Sequence, residues 1–150
     1  MNTFSLTIRE RLLIEQQCRD LVLTAARLTD SGDHKRFAQL FVANAILRRP
    51  NGSVLTGRES ILKSYQERPD DRMTCHLIVS TLLTSCRASF ASATSQVLLW
   101  SGRKSDIRGT YGQPADRQIV GVFNDEFEKT DDGWQFSARK AEFLLYSEHA

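Results

Sequence analysis

Long strand-forming segments dominate the second half of the sequence, and they constrain the fold more than any other feature. Segments rich in β-branched, aromatic and hydroxyl residues span 73–87, 88–103 and 117–129. Each is longer than the roughly 5–6 residues of an ordinary strand. The run Thr-Asp-Asp-Gly at 130–133 predicts a tight hairpin into a last strand over 134–146. Strands of this length indicate a strongly curved and twisted sheet.

Helical patterns precede this sheet. Apolar residues recur at helical spacing over 8–29, and Gly32 is suited to cap the end of that helix. A second, short helix is predicted over 34–41, a short strand over 43–48, and a third helix between 56 and 69.

Helices followed by long antiparallel strands predict an α+β fold. Three helices packed in a strongly curved, mostly antiparallel sheet make a cone-shaped α+β barrel. The open end of such a cone is a natural ligand pocket. The chain of 150 residues shows no internal repeat or linker, so a single domain over 1–150 is predicted.

Composition and charge exclude several classes of function. Hydrophobic residues make up 41% and charged residues 25%, which is typical of a globular protein. The net charge of +2 is small and the charges are interleaved, so neither nucleic acid nor an anionic membrane is an expected partner. No signal peptide or membrane-spanning pattern occurs, and the three cysteines lack metal-type spacing. We therefore expect a cytoplasmic protein.

Asp30, His76 and Arg139 are the candidate catalytic residues, because each falls where such a cone directs a side chain into its cavity. A carboxylate that binds one imidazole nitrogen lets the other nitrogen act as a general base. A guanidinium stabilises negative charge that develops on the substrate. Together these groups predict proton transfer without a cofactor.

Structural roles are the alternatives for all three residues. Asp30 can end its helix and bind local backbone, as aspartates near turns often do. His76 can be a hydrogen-bonded strand residue without chemistry. Arg139 can pair with a cross-strand acid such as Asp125 or Glu126.

Thiol and metal chemistry are both disfavoured. Cys75 is adjacent to His76, but neighbouring strand residues point to opposite faces of a sheet. Asp30, His34 and His76 are the residue types of a two-histidine, one-carboxylate metal site. The break at Ser31-Gly32 disrupts the helical spacing that this site requires, so no metal is predicted.

The predicted pocket is lined mainly by aromatic side chains, with one polar contact. We expect modest polarity and a polycyclic, steroid-like, terpenoid or aromatic substrate rather than a sugar phosphate. The predicted substrate-binding residues are Phe41, Tyr65, Trp100, Tyr111, Phe123, Asn124 and Phe143.

A family resemblance rests on three stretches of the chain. They are 28–33 followed by Leu40-Phe41, then 57–61, and finally 121–139, which holds Asp-Glu-Phe-Glu-Lys before the hairpin turn and Gly-Trp-Gln-Phe after it. In this order and spacing the sequence resembles the SnoaL-like branch of the nuclear transport factor 2-like superfamily. The similarity runs over about 9–146.

The resemblance implies a function as well as a fold. The superfamily includes scytalone dehydratase, bile-acid 7α-dehydratase, polyketide cyclases and hexachlorocyclohexane dehydrochlorinase. By motif position Asp30 and His76 match the Asp–His dyad of its dehydratases and dehydrochlorinase, and Arg139 matches an arginine of the latter. A cofactor-independent lyase or isomerase acting on a small hydrophobic cyclic molecule is therefore implied. Thr29 and Ala25 replace a tyrosine and a lysine of those enzymes, so their particular substrates do not transfer.

A non-catalytic subunit or ligand-binding module is the alternative that the resemblance leaves open. The superfamily also contains the non-catalytic β subunits of aromatic-ring dioxygenases, which accompany a larger iron–sulfur subunit. Its members commonly pair through the exposed sheet face. The resemblance thus implies a homodimer or higher homo-oligomer.

Overall fold

The computed structural model describes residues 5–149. Within them lie three helices and six strands. In chain order they are α1 (Ile8–Ser31), α2 (His34–Gln39), β1 (Phe41–Arg48), β2 (Val54–Thr56), α3 (Arg58–Gln66), β3 (Arg72–Cys86), β4 (Phe90–Arg103), β5 (Ala115–Thr130) and β6 (Gly133–Glu148).

Helix α1 is defined at both ends by capping interactions. Thr7 and Glu10 form a reciprocal capping box, with hydrogen bonds of 2.9 and 3.1 Å. Gly32 ends the helix in the left-handed conformation at φ 77°. One face of the helix is buried and includes Ile14, Cys18, Val22 and Ala25. The exposed side mixes polar residues with the apolar Ile8, Leu12, Leu13 and Leu23. No helix of residues 5–149 is long and apolar enough to cross a membrane.

The strands of the described residues form one sheet in the order β2-β1-β6-β5-β4-β3. Neighbouring strands are antiparallel except for β1 and β6, which are parallel. Register shifts interrupt the β3–β4 and β5–β6 ladders at two points each. Bulges of this kind bend strands and increase their twist. The sheet consequently curves around α1, which packs against β3 and β6.

Aromatic residues fill one end of the curved sheet. Phe37, Phe41, Phe127 and Phe136 are fully buried. The Phe136 ring lies 5.0 Å from that of Phe41 and 5.1 Å from that of Phe127, between centroids. These residues come from α2, the start of β1, the end of β5 and the start of β6, so the cone opens at the opposite end of the sheet.

The predicted α+β cone is confirmed, but several details of the prediction are wrong. The second helix, predicted over 34–41, ends at Gln39, and Phe41 already begins β1. The three-residue strand β2 was not predicted, because its exposed residues carry no alternating pattern. The segment predicted to begin at Ala88 begins at Phe90, since Arg87 donates its backbone N–H to the Phe90 carbonyl at 2.8 Å and the chain turns there.

An apolar row crosses the outer face of the sheet. Leu77 pairs with Leu98, Leu98 with Val120, and Val120 with Leu145. Directly paired residues share a face, so these four side chains are neighbours on the surface that faces away from α1. Leu77 is 49% exposed and Leu145 69% exposed. Exposed apolar rows of this kind mark association surfaces.

The homodimer implied by the resemblance remains a prediction, and this row is its most suitable interface. We expect sedimentation at micromolar concentration to give twice the 17.0 kDa mass of the chain. Leu77→Glu should shift the protein to monomer, because a buried charge opposes association. Ile107→Glu, in an exposed loop, is the matched control and should leave the mass unchanged. A monomer before any substitution would contradict the prediction.

Candidate active site

Asp30 and His76 are in direct contact. The Nδ1 atom of His76 lies 2.6 Å from Oδ1 of Asp30. The backbone N–H of His76 donates to Oδ2 of the same carboxylate at 2.8 Å, and the Thr74 hydroxyl donates to Oδ1 at 2.9 Å. Three hydrogen bonds therefore converge on one carboxylate and fix its position relative to the imidazole ring.

Local structure explains how the sequence brings these groups together. Asp30 occupies the last turn of α1, just before the helix ends at Gly32. Thr74 and His76 are two positions apart on β3, so both point to the face that carries α1. Cys75 between them is exposed on the other face. The crossing of α1 over β3 thus creates the contact.

The arrangement determines how His76 presents its ring. Because the ionised Asp30 accepts a hydrogen bond from Nδ1, that nitrogen carries the proton and Nε2 offers its lone pair. The His76 side chain is only 13% exposed and lines a cavity of about 500 Å³. Asp30 lies behind the ring rather than on the cavity wall. This is the geometry of a general base with an orienting carboxylate.

Arg139 lines the same cavity but is held by a second carboxylate. Its Nε and Nη2 donate to Oδ1 and Oδ2 of Asp125 at 2.7 and 2.9 Å. Arg139 and Asp125 are directly paired on β6 and β5, and the Arg139 side chain is only 5% exposed. Its guanidinium stacks over the Phe123 ring at 4.0 Å. The cross-strand alternative for Arg139 is therefore what the structure shows, and the guanidinium faces the cavity as a paired donor rather than a free cation.

Burial and ion pairing act in opposite directions on the pKa of Asp125. Complete burial raises the pKa of the Asp125 carboxyl above its ordinary value, and the charge and hydrogen bonds of Arg139 oppose that rise. A buried ion pair of this kind depends on both partners, because either charge left alone is costly in the interior.

We expect Asp125→Ala to destabilise the protein by about 3–5 kcal/mol, since Arg139 would stay buried without its partner. Urea unfolding of the wild type and the variant measures this difference. The double variant Asp125→Leu with Arg139→Met removes both charges and should recover most of the lost stability. A single-variant loss below about 1 kcal/mol would show that the pair is not energetically coupled.

Apolar side chains form part of the cavity wall. They come from α1, β1, β4, β5 and β6, and they are Ala26, Leu47, Leu99, Phe123, Ala141 and Phe143. Tyr65 of α3 adds an aromatic face and is itself buried in the core. The predictions for Tyr65, Phe123 and Phe143 as cavity residues agree with where the structure places them.

Four other predicted substrate-binding residues lie elsewhere. Phe41 is fully buried in the aromatic core. Trp100 and Asn124 are on the outer face, because strand alternation gives the inner positions to their neighbours Leu99 and Phe123. Tyr111 is fully exposed in the β4–β5 loop. The predictions for these four residues are wrong for the cavity that holds His76.

The cavity is also far more cationic than the sequence indicated, so the expectation of modest polarity is wrong. Glu67 is the one carboxylate among its lining residues. Six arginines line it: Arg48, Arg49, Arg68, Arg72, Arg117 and Arg139. Apart from the adjacent Arg48 and Arg49, they are separated in the sequence. The sheet topology brings them to one end of the sheet. Thr74 was missed too, although its spacing of two from His76 on a strand was an available signal.

The described residues do not favour metal binding by these side chains. Within 5–149, no three His, Cys, Asp or Glu side chains are grouped to hold an ion. The His34 ring packs near Tyr65, with 6.0 Å between centroids, rather than beside Asp30.

The chain belongs to the SnoaL-like domain family, whose pattern it matches over residues 10–140. Comparison with curated protein sequences finds no match. The resemblance seen in the sequence is thus confirmed at the level of the family.

Solved structures show the same fold. A protein from Novosphingobium aromaticivorans, provisionally named a scytalone dehydratase, is 17% identical with a TM-score of 0.81, covering 96% of this chain and 93% of that one. Hexachlorocyclohexane dehydrochlorinase type 3 from Novosphingobium barchaimii is 18% identical with a TM-score of 0.80, covering 96% and 95%. A type 2 dehydrochlorinase is 18% identical with a TM-score of 0.80, covering 96% and 94%. At these identities the likeness establishes the shared fold.

Proposed function

We propose that this protein is a cofactor-independent lyase or isomerase in which His76 transfers a proton on a small cyclic molecule bound in the cavity. The observation that supports this most directly is the 2.6 Å contact between Asp30 and the Nδ1 atom of His76 at the cavity wall. The cavity volume of about 500 Å³ lies within the range of small-molecule sites.

Each group has a distinct role in the proposed reaction. Nε2 of His76 removes a proton from a carbon of the substrate, and Asp30 stabilises the imidazolium that forms. The electron pair of the broken C–H bond then forms a double bond. In an elimination it expels a leaving group from the neighbouring carbon; in an isomerisation the proton returns to a different carbon. Arg139 donates a hydrogen bond to the atom that gains negative charge.

Structural neighbours support elimination as the first reaction to test. The names of those described above denote loss of water and loss of hydrogen chloride. Both reactions remove a proton from carbon beside a leaving group, which is the step that the Asp30–His76 pair suits. The apolar part of the cavity wall fits a ring system at the reacting end.

The direct test is turnover of a panel of cyclic alcohols, halides and ketones in deuterated buffer, with loss of the leaving group or deuterium uptake followed by NMR. His76→Ala should lower the rate by about 10²–10⁴-fold, because the general base is gone. His149→Ala, a histidine outside the cavity lining, is the matched control and should keep full activity. Undiminished turnover by a folded His76→Ala protein would end the proposal.

Asp30→Asn tests the orienting role separately. The amide keeps the shape of the carboxylate but cannot stabilise the imidazolium, so we expect a rate loss of about 10²-fold or more. Thr74→Val removes one hydrogen bond to Asp30 and should cost much less. Far-UV circular dichroism of both variants checks that the fold is intact. Equal losses for the two variants would contradict a specific role for the carboxylate.

A further inference from the structure

Five arginines lie at the end of the sheet where the cavity opens. The mouth arginines are Arg48, Arg49, Arg68, Arg72 and Arg117. They come from the end of β1, the loop after it, the loop after α3 and the starts of β3 and β5. The strand order places all these ends on the same side of the sheet.

Few acidic side chains pair directly with these arginines. Among residues 5–149, no carboxylate lies within 4.0 Å of the guanidiniums of Arg48, Arg49, Arg68 or Arg72. Arg117 alone has such a partner, Glu148 at 3.3 Å on the exposed surface. Exposed arginines in most proteins are spaced or paired with acids, so a cluster of this kind needs an explanation outside the chain.

Repulsion among the clustered arginines opposes folding when no anion is bound. Burial lowers the pKa of Arg72, the positive charges of Arg68 and Arg117 lower it further, and the negative charge of Asp116 opposes this shift. Like charges at short range destabilise a fold unless an anion lies between them. The sequence nevertheless concentrates these side chains at the entrance to the site.

Tyr65 positions two of the mouth arginines without neutralising them. The guanidinium of Arg68 lies 3.9 Å from the centroid of the Tyr65 ring, and that of Arg49 lies 5.7 Å from it. A cation–π contact restrains a guanidinium but leaves its N–H groups free to donate. The ring itself is fixed by packing 4.4 Å from Phe37, between centroids. The N–H donors at the mouth are thus pre-arranged for an incoming ligand.

We propose that the substrate of this site carries an organic oxyanion, a carboxylate or a phosphoryl group, which the mouth arginines bind while its apolar body reaches His76. Guanidinium groups bind both kinds of oxyanion through paired hydrogen bonds. The inference rests on the proposed function for the reacting end of the molecule. It narrows the substrate from a hydrophobic ring system to one with a charged substituent.

Binding measurements with matched probes test the proposal. Calorimetry would compare naphthoate, naphthyl phosphate and the neutral naphthalene methanol on the full-length protein. At least one anion should bind about tenfold or more tightly than the alcohol, because a charge-assisted hydrogen bond contributes about 1.5–3 kcal/mol. Whichever anion binds more tightly identifies the group. Equal affinity for all three probes would overturn the inference.

Substitutions test whether the mouth arginines are the groups that bind the anion. Arg68→Gln and Arg72→Gln should each weaken anion binding about tenfold and leave binding of the neutral alcohol unchanged. Arg19→Gln on the exposed face of α1 is the matched control and should have no effect. Loss of affinity in the control as well would overturn a localised anion site.

His76→Ala separates this inference from the proposed function, since it removes the base and leaves the mouth intact. Anion binding that persists in His76→Ala supports the inference whatever the turnover assays show. Turnover of neutral substrates that depends on His76, with no preference for anions, would overturn the inference and leave the proposed function standing.

Discussion

The hydrogen bonds to the Asp30 carboxylate join the two halves of this protein. Asp30 belongs to the last turn of α1, while the donors belong to β3, 44 and 46 residues further along the chain. The carboxylate therefore fixes where the helix crosses the curved sheet, and the same contact orients the His76 ring toward the cavity. One partly buried polar cluster serves both the packing of the fold and the geometry of the site. Because its lone pairs are satisfied, the cluster is tolerated in a largely apolar interior.

Much of this organisation could be predicted from the sequence, because it follows from local rules. The features that depend on neighbouring residues alone are the cap at Gly32, the hairpin at Thr130–Gly133 and the length of the strands. The α+β order then restricts the arrangement of these elements. The placement of Asp30 and His76 in one site came from the resemblance to a family, and the structure brings the two residues into contact.

Predictions of cavity-lining residues failed where strand register decides which face of the sheet a side chain is on. Trp100 and Asn124 were predicted to line the cavity, yet a shift of one residue along a strand moves a side chain to the opposite face. The mouth arginines went unrecognised because no local pattern links them. They meet because the chain around 48–49, 68–72 and 117 lies at one end of the sheet. Composition was equally uninformative, since a net charge of +2 conceals a strongly uneven distribution.

The parallel pairing of β1 with β6 has a consequence for how the chain folds. Residues that meet where the start of β1 approaches β6 are widely separated in sequence. The side chain of Gln135 donates to the backbone carbonyl of Gln39, which is 96 residues earlier in the chain. Closing so long a loop is entropically costly, and contacts of this range slow folding. During synthesis β1 cannot pair with β6 until this last strand has emerged from the ribosome. The cavity wall formed by Leu47 and Ala141 is thus among the last parts of the molecule to be completed.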